Sequence, residues 1–163
     1  MTDIFLGSHG QYVENSLTRE GLMDAGSMAV QLYNQGINPD ELLIISSASQ
    51  RAVQTAFIMA SVLCVRKFMQ SYRLEQAGFQ PEIVETMGGF IGSLLASRGI
   101  RALPASIAVV THEPLVDAMI GGASEYGTIY KVPADLKNPT FDSEISKPLD
   151  FGLSLDPLAG IEI

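Results

Sequence analysis

The chain holds two histidines, and each follows an apolar run that ends in a short polar turn. His9 lies in Gly7-Ser8-His9-Gly10 after Ile4-Phe5-Leu6, and His112 lies in Thr111-His112-Glu113-Pro114 after Ile107-Ala108-Val109-Val110. A third turn, Ser46-Ser47-Ala48-Ser49-Gln50-Arg51, follows Leu42-Leu43-Ile44-Ile45 and brings an arginine. Neutral imidazole is a competent nucleophile toward phosphorus when a rigid backbone holds its tautomer and its line of attack. A second histidine and an arginine can neutralise the charge on the oxygens of a transferred phosphoryl group. A single histidine is more often a surface or satisfied core residue, so the weight rests on the joint placement of both at strand ends. Ser46, Ser47 and Ser49 also suit plain helix caps. Arg51 in a first helical turn opposes the helix dipole, an arrangement that suits a bound anion. Gly7 and Gly10 form neither a dinucleotide fingerprint nor a P-loop.

These turns need elements to carry them. Ile4-Phe5-Leu6, Leu42 to Ile45 and Ile107 to Val110 read as buried strands. Thr18 caps a helix over residues 18–35 with Gly36 as its left-handed stop, and a second helix runs from about Gln50 past Ala60, with Cys64 inert inside it. Residues 65–78 read as helix or irregular chain, and Pro81 opens a short strand at Glu82-Ile83-Val84. Gly88-Gly89 turns the chain into a helix over residues 90–97, Pro114 suits a first helical turn, and that helix ends at Gly121-Gly122. Thr128 to Val132 and Phe151 to Leu155 are further strand candidates. Apolar strands alternating with amphipathic helices predict an α/β fold, a three-layer domain with a mostly parallel sheet and helices on both faces. Ligands of such sheets bind beyond the carboxyl ends of the strands, so the three turns should share one cleft.

At 163 residues the chain is expected to form one domain over residues 1–163, large enough to bury roughly 68–70% of its unfolded surface. Eighteen acidic against ten basic residues give a net charge of −8, with the basic residues scattered, which argues against nucleic acid and anionic membranes as partners. Mean hydropathy is +0.22, yet the apolar stretch near residues 57–65 contains Ser61 and falls short of the ~20 residues of a membrane span. The first residues lack a basic region and a cleavable apolar segment, so a cytoplasmic location is expected. One cysteine excludes an internal disulfide framework and a cysteine-rich zinc site.

Four separated blocks, over roughly residues 3–132, resemble the histidine phosphatase superfamily, the phosphoglycerate-mutase-like group, and above all its short bacterial phosphohistidine phosphatases. The family's strand followed by Arg-His-Gly stands here as Ser8-His9-Gly10, followed by Gln11, Asn15 and Leu17-Thr18-Arg19-Glu20-Gly21. Its Ser-Ser-x-x-x-Arg-x-x-Gln-Thr-Ala block is met by Ser46, Ser47, Arg51, Gln54, Thr55 and Ala56, and its Val-x-His turn by Val110-Thr111-His112 before Pro114-Leu115-Val116. The resemblance implies that His9 becomes phosphorylated, that Arg51 clamps the phosphate and that His112 flanks the phosphoryl group. Ser8, Gly10 and Asn15 would complete the phosphate pocket. It places a proton-donating acid after the third strand, where Glu85 lies, with Glu113 and Glu14 as rivals. It implies no cofactor and no metal, and as substrate a phosphorylated small molecule or a phosphoprotein.

The departure is Ser8, which stands where the family has an arginine. Serine supplies neither the fork nor the fixed charge of a guanidinium, and loss of one such contact costs on the order of 10²–10³ in rate. A natural pseudophosphatase, a substitute cation such as Arg19, or an engineered change would each account for it. The expectation is therefore a phosphatase acting through a covalent phosphohistidine and weakened at Ser8; the alternative is an inactive phospho-ligand or protein-binding module on the same fold. Protonated imidazole should strengthen anion binding as pH falls through the histidine range.

Overall fold

The computed structural model describes residues 2–133. Its strands are β1 (Asp3–Ser8), β2 (Tyr12–Val13), β3 (Ser16–Leu17), β4 (Leu42–Ser47), β5 (Lys67–Ser71), β6 (Ser106–Thr111) and β7 (Tyr130–Val132). Its helices are α1 (Arg19–Asn34), α2 (Gln50–Leu63), α3 (Tyr72–Phe79), α4 (Met87–Ser97) and α5 (Glu113–Ile120). Five strands form one sheet in the order β5-β4-β6-β1-β7, while β2 and β3 pair as a separate hairpin. Within the sheet β1, β4, β5 and β6 are parallel, and β7 closes the β1 edge antiparallel. The expected mostly parallel α/β sheet is present.

Strand residues alternate between two apolar layers, as a pleat of period two requires. Ile4, Leu6, Leu43, Ile45, Ile107 and Val109 pack with Leu74, Ile91, Leu94 and Leu115 of α3, α4 and α5. Phe5, Leu42, Ile44, Ala108 and Val110 pack with Met28, Leu32, Ala56 and Met59 of α1 and α2. Near-continuous apolar runs in β1, β4 and β6 follow from this, because a strand covered on both faces has no polar side. Thr18 caps α1 by accepting from the Gly21 amide at 3.2 Å, and Gly36 and Gly121 hold positive φ beyond α1 and α5.

Four local expectations are corrected. Residues 65–78 contain the edge strand β5 and the helix α3; only Phe68 and Met69 give β5 an apolar core, side by side. Ser71 ends β5 and caps α3, its hydroxyl accepting from the Arg73 and Leu74 amides. Pro81–Ile83 is a 3-10 turn rather than a strand, because proline's fixed φ suits a first helical turn and the Val84 amide reaches the Pro81 carbonyl at 3.0 Å. Gly88 and Gly89 lie inside α4, whose start is set by Thr86 accepting from the Gly89 amide at 2.9 Å. Cys64 is exposed and terminates α2 at φ 57°, since Val65 turns inward and bonds the Ala60 carbonyl at 2.9 Å. The strand candidate at Phe151 to Leu155 lies outside the described residues.

Candidate active site

β1 and β6 run side by side with Ser8 opposite Thr111, so the residues that follow them, His9 and His112, emerge together at the carboxyl edge of the sheet. The His9 amide extends the ladder by one rung, donating to the Thr111 carbonyl at 2.9 Å. Its ring Nδ1–H donates to the Gly10 carbonyl at 2.9 Å, which leaves the Nε2 lone pair facing the cleft. Gly10 donates its amide to Thr55 Oγ1 at 3.0 Å, and Thr55 donates to the Arg51 carbonyl at 2.8 Å. The loop of His9 is thereby tied to the first turn of α2. A Cβ on Gly10 would collide with the Gly21 backbone, so the loop sits directly against α1 only because residue 10 is glycine.

Arg51 occupies the centre. Its Nε donates to His9 Nε2 at 3.1 Å, its Nη1 to Asn15 Oδ1 at 2.6 Å and its Nη2 to His112 Nδ1 at 3.4 Å. His112 then holds its proton on Nε2, which donates to Ser47 Oγ at 2.8 Å, with Ser49 Oγ at 3.4 Å. The two imidazole centroids are 5.1 Å apart, well within the reach of a shared phosphoryl group. Asn15 reaches the site from the tip of the β2–β3 hairpin, where Glu14 and Asn15 take positive φ of 49° and 68°, the conformation of a tight hairpin turn. Gln54 fastens that hairpin to α2, accepting from the Leu17 amide at 2.8 Å and donating to Ser16 Oγ at 3.3 Å.

Both imidazoles are buried, His9 with 6% and His112 with 1% of its surface exposed. Burial lowers His9 to about 4, helped by the Arg51 charge and opposed by the bond to Gly10. Burial lowers His112 to about 3, with the His9 and Arg51 charges acting in the same sense. Both rings are thus neutral over the range in which a free histidine titrates, which is the state a nucleophile needs. The expected strengthening of anion binding by imidazolium moves down to these lower values.

Other expected residues stand apart from this cluster. Ser8 is buried and its hydroxyl donates to the His9 carbonyl at 3.3 Å. Glu85 is exposed in the loop before α4, and among the described residues no hydrogen bond or ion pair joins it to His9, Arg51 or His112. Glu14 is exposed at the hairpin tip, and Arg19 is exposed at the start of α1. Glu113, also exposed, is close enough to Tyr126 for its charge to help raise that phenol's pKa, burial being the larger cause. Among the described residues no group of three histidine, cysteine or acidic side chains could hold a metal ion, and no helix is long and apolar enough to cross a membrane.

Sequence reasoning missed four contributors. Phe79 stacks on His112 at 4.2 Å and 26°, Tyr12 meets His9 edge-on at 5.0 Å, and Tyr126 lies 6.4 Å from His9. The Arg51 guanidinium carbon sits 4.6 Å over the Tyr12 ring and 5.9 Å over Phe79. Gly78 lets α3 approach His112, for a Cβ there would stand 2.6 Å from His112 Cδ2. The rings come from a hairpin, a helix end and a loop, so no spacing in the sequence joins them.

No protein-family model matches the sequence, and no curated protein matches it. Solved structures of similar fold include the protein histidine phosphatase SixA complexed with tungstate, at TM-score 0.57 and 20% identity, covering 94% of this chain and 97% of that one. They also include SixA of Agrobacterium tumefaciens, assigned as a phosphohistidine phosphatase, at TM-score 0.49 and 19% identity over 73% of this chain and 77% of that one. A phosphoglycerate mutase from Plasmodium falciparum follows at TM-score 0.46 and 19% identity over 72% and 65%. The likeness to the tungstate complex is one of fold: this chain has the α/β architecture of that phosphatase.

Proposed function

We propose that this chain is a phosphatase of the histidine phosphatase superfamily, hydrolysing a phosphate ester or phosphoramidate through a phosphohistidine at His9. The observation that carries the reading is the orientation of the two imidazoles: His9 Nε2 and His112 Nδ1 both present lone pairs toward one guanidinium, and each opposite nitrogen is held by a neighbour. A phosphoryl group bound between them would meet His9 Nε2 as nucleophile, with Arg51 and Asn15 on its oxygens and His112 beside it. The Gly10 carbonyl keeps the His9 proton on Nδ1 and stabilises the ring as it gains charge. The fold neighbour with TM-score 0.57 was solved with tungstate, a tetrahedral oxyanion like phosphate, which supports the same use of this fold here. Phosphorylated small molecules and phosphoproteins both remain within this reading.

One observation favours a second reading, a module that binds phosphorylated ligands without turning them over. Ser8 provides no cation, and no carboxylate among the described residues bonds to the cluster. Rapid acid-free quenching during turnover of a phosphate ester, followed by peptide mass spectrometry, separates the two. A phosphoryl group on His9 that is missing in His9→Ala is expected; hydrolysis without it rejects the covalent route, and binding without hydrolysis establishes the second reading.

A further inference from the structure

Three aromatic rings that the phosphoryl chemistry does not use surround its mouth. Tyr12, Phe79 and Tyr126 are 42%, 52% and 43% exposed, and they arrive from β2, the end of α3 and the loop before β7. Tyr12 and Tyr126 both meet the His9 ring, while Tyr12 and Phe79 both flank the Arg51 guanidinium. Isolated exposed rings are ordinary, but rings gathered round one cleft mark a surface that a ligand covers. Burial raises the Tyr126 phenol's pKa, with the Glu113 and Asp24 charges acting in the same sense and Arg51 in the opposite one.

A second observation concerns the leaving group. Among the described residues no carboxylate is bonded to His9, Arg51 or His112, so a departing oxygen meets no carboxylic acid joined to the cluster. An alkoxide, from an alcohol nearly as weak an acid as water, leaves poorly without a proton. A phenoxide leaves far more readily, since a phenol has a pKa of about 10.

We infer that the ligand class is a phosphate monoester of a phenol, its ring packed against Tyr12, Phe79 and Tyr126. This rests on the phosphatase reading. His9 Nε2 forms a bond to phosphorus as the bond from phosphorus to the aryl oxygen breaks, and the electron pair leaves on the aryl oxide, which takes a proton from solvent. Water then adds to phosphorus, the bond to Nε2 breaks, and both protons of the water leave with the phosphate while His9 returns to its neutral form.

Calorimetry on the full chain with methylphosphonate, cyclohexylphosphonate and phenylphosphonate tests this without requiring turnover. Phenylphosphonate should bind about tenfold tighter than methylphosphonate, the size expected of one or two ring contacts, and several-fold tighter than the saturated ring. Tyr126→Ala and Phe79→Ala should each shrink the phenyl preference to about threefold, read as the ratio of phenylphosphonate to methylphosphonate affinity within the same variant. Equal binding of phenyl and methyl forms, or of phenyl and cyclohexyl forms, overturns the aryl assignment and leaves the anion site standing. Failure of all three to bind overturns both. Competition between phenyl phosphate and a phosphotyrosyl peptide for the phenylphosphonate site tells a small ester from a protein side chain, the tighter binder being the source.

Discussion

At the scale of single residues the cluster holds, among the described residues, one cation where the proposed phosphoryl transfer would use two. Arg51 distributes three donors among His9, Asn15 and His112, and Ser8, at the end of β1, spends its hydroxyl on the neighbouring carbonyl. Ser8→Arg should therefore raise kcat/KM for an aryl phosphate by about 10²-fold, the size of one restored charged contact in the transition state. Adding His9→Ala should remove the gain, because the arginine only assists a nucleophile. Steady-state kinetics beside thermal denaturation checks this: Ser8 is buried, and a guanidinium left without partners there would show as lost stability rather than as activity. A stable variant with neither activity nor phosphate affinity would favour the binding module. His9, Arg51 and His112 are legible in sequence because each lies in a polar turn just after an apolar strand-like run, whereas Asn15 rests on the family resemblance alone. Tyr12, Phe79 and Tyr126 are not legible, since only tertiary folding gathers them.

At the scale of elements, the β2–β3 hairpin is two residues per strand and too short to be stable alone. Gln54 of α2 holds it through the Leu17 amide and Ser16, and the hairpin in turn delivers Asn15 to Arg51. Gln54→Ala is expected to weaken phosphate binding by roughly tenfold while costing about 1 kcal/mol of stability, the loss of a side-chain-to-backbone bond at a half-buried site. Calorimetry with inorganic phosphate and a denaturant titration measure both; unchanged affinity would mean the hairpin holds itself. The major elements could be read beforehand because β1, β4 and β6 are continuous apolar runs and α1 has a cap and a stop. β5 has no such signature, because an edge strand with two adjacent apolar residues has neither a run nor an alternation. The turn at Pro81–Ile83 reads as a strand in sequence because apolar Ile83 and Val84 follow a proline, which serves either role.

At the scale of the whole molecule, the parallel pairing of β1 and β6 sets His9 beside His112, and the buried histidines couple the fold to pH. Each histidine titrates near 6.5 when unfolded but at about 4 or about 3 when folded, so between those values the unfolded chain binds more protons. The histidines' contribution is complete above pH 6.5 and is lost as pH falls toward 4 and then 3, at up to about 1.4 kcal/mol per pH unit for each. Denaturant titrations at pH 7 and pH 5 should show this loss, and His9→Gln with His112→Gln should flatten it; an equal slope in that variant would assign the acid sensitivity to the carboxylates. The central claim, one phosphoryl site shared by His9, Arg51 and His112, is tested most directly by a crystal structure of the chain with vanadate. The account predicts vanadium in line with His9 Nε2, with oxygens on the Arg51 guanidinium and a vanadate hydroxyl donating to His112 Nδ1. Vanadate bound elsewhere, with the Arg51 fork still closed on His9 and His112, would contradict it.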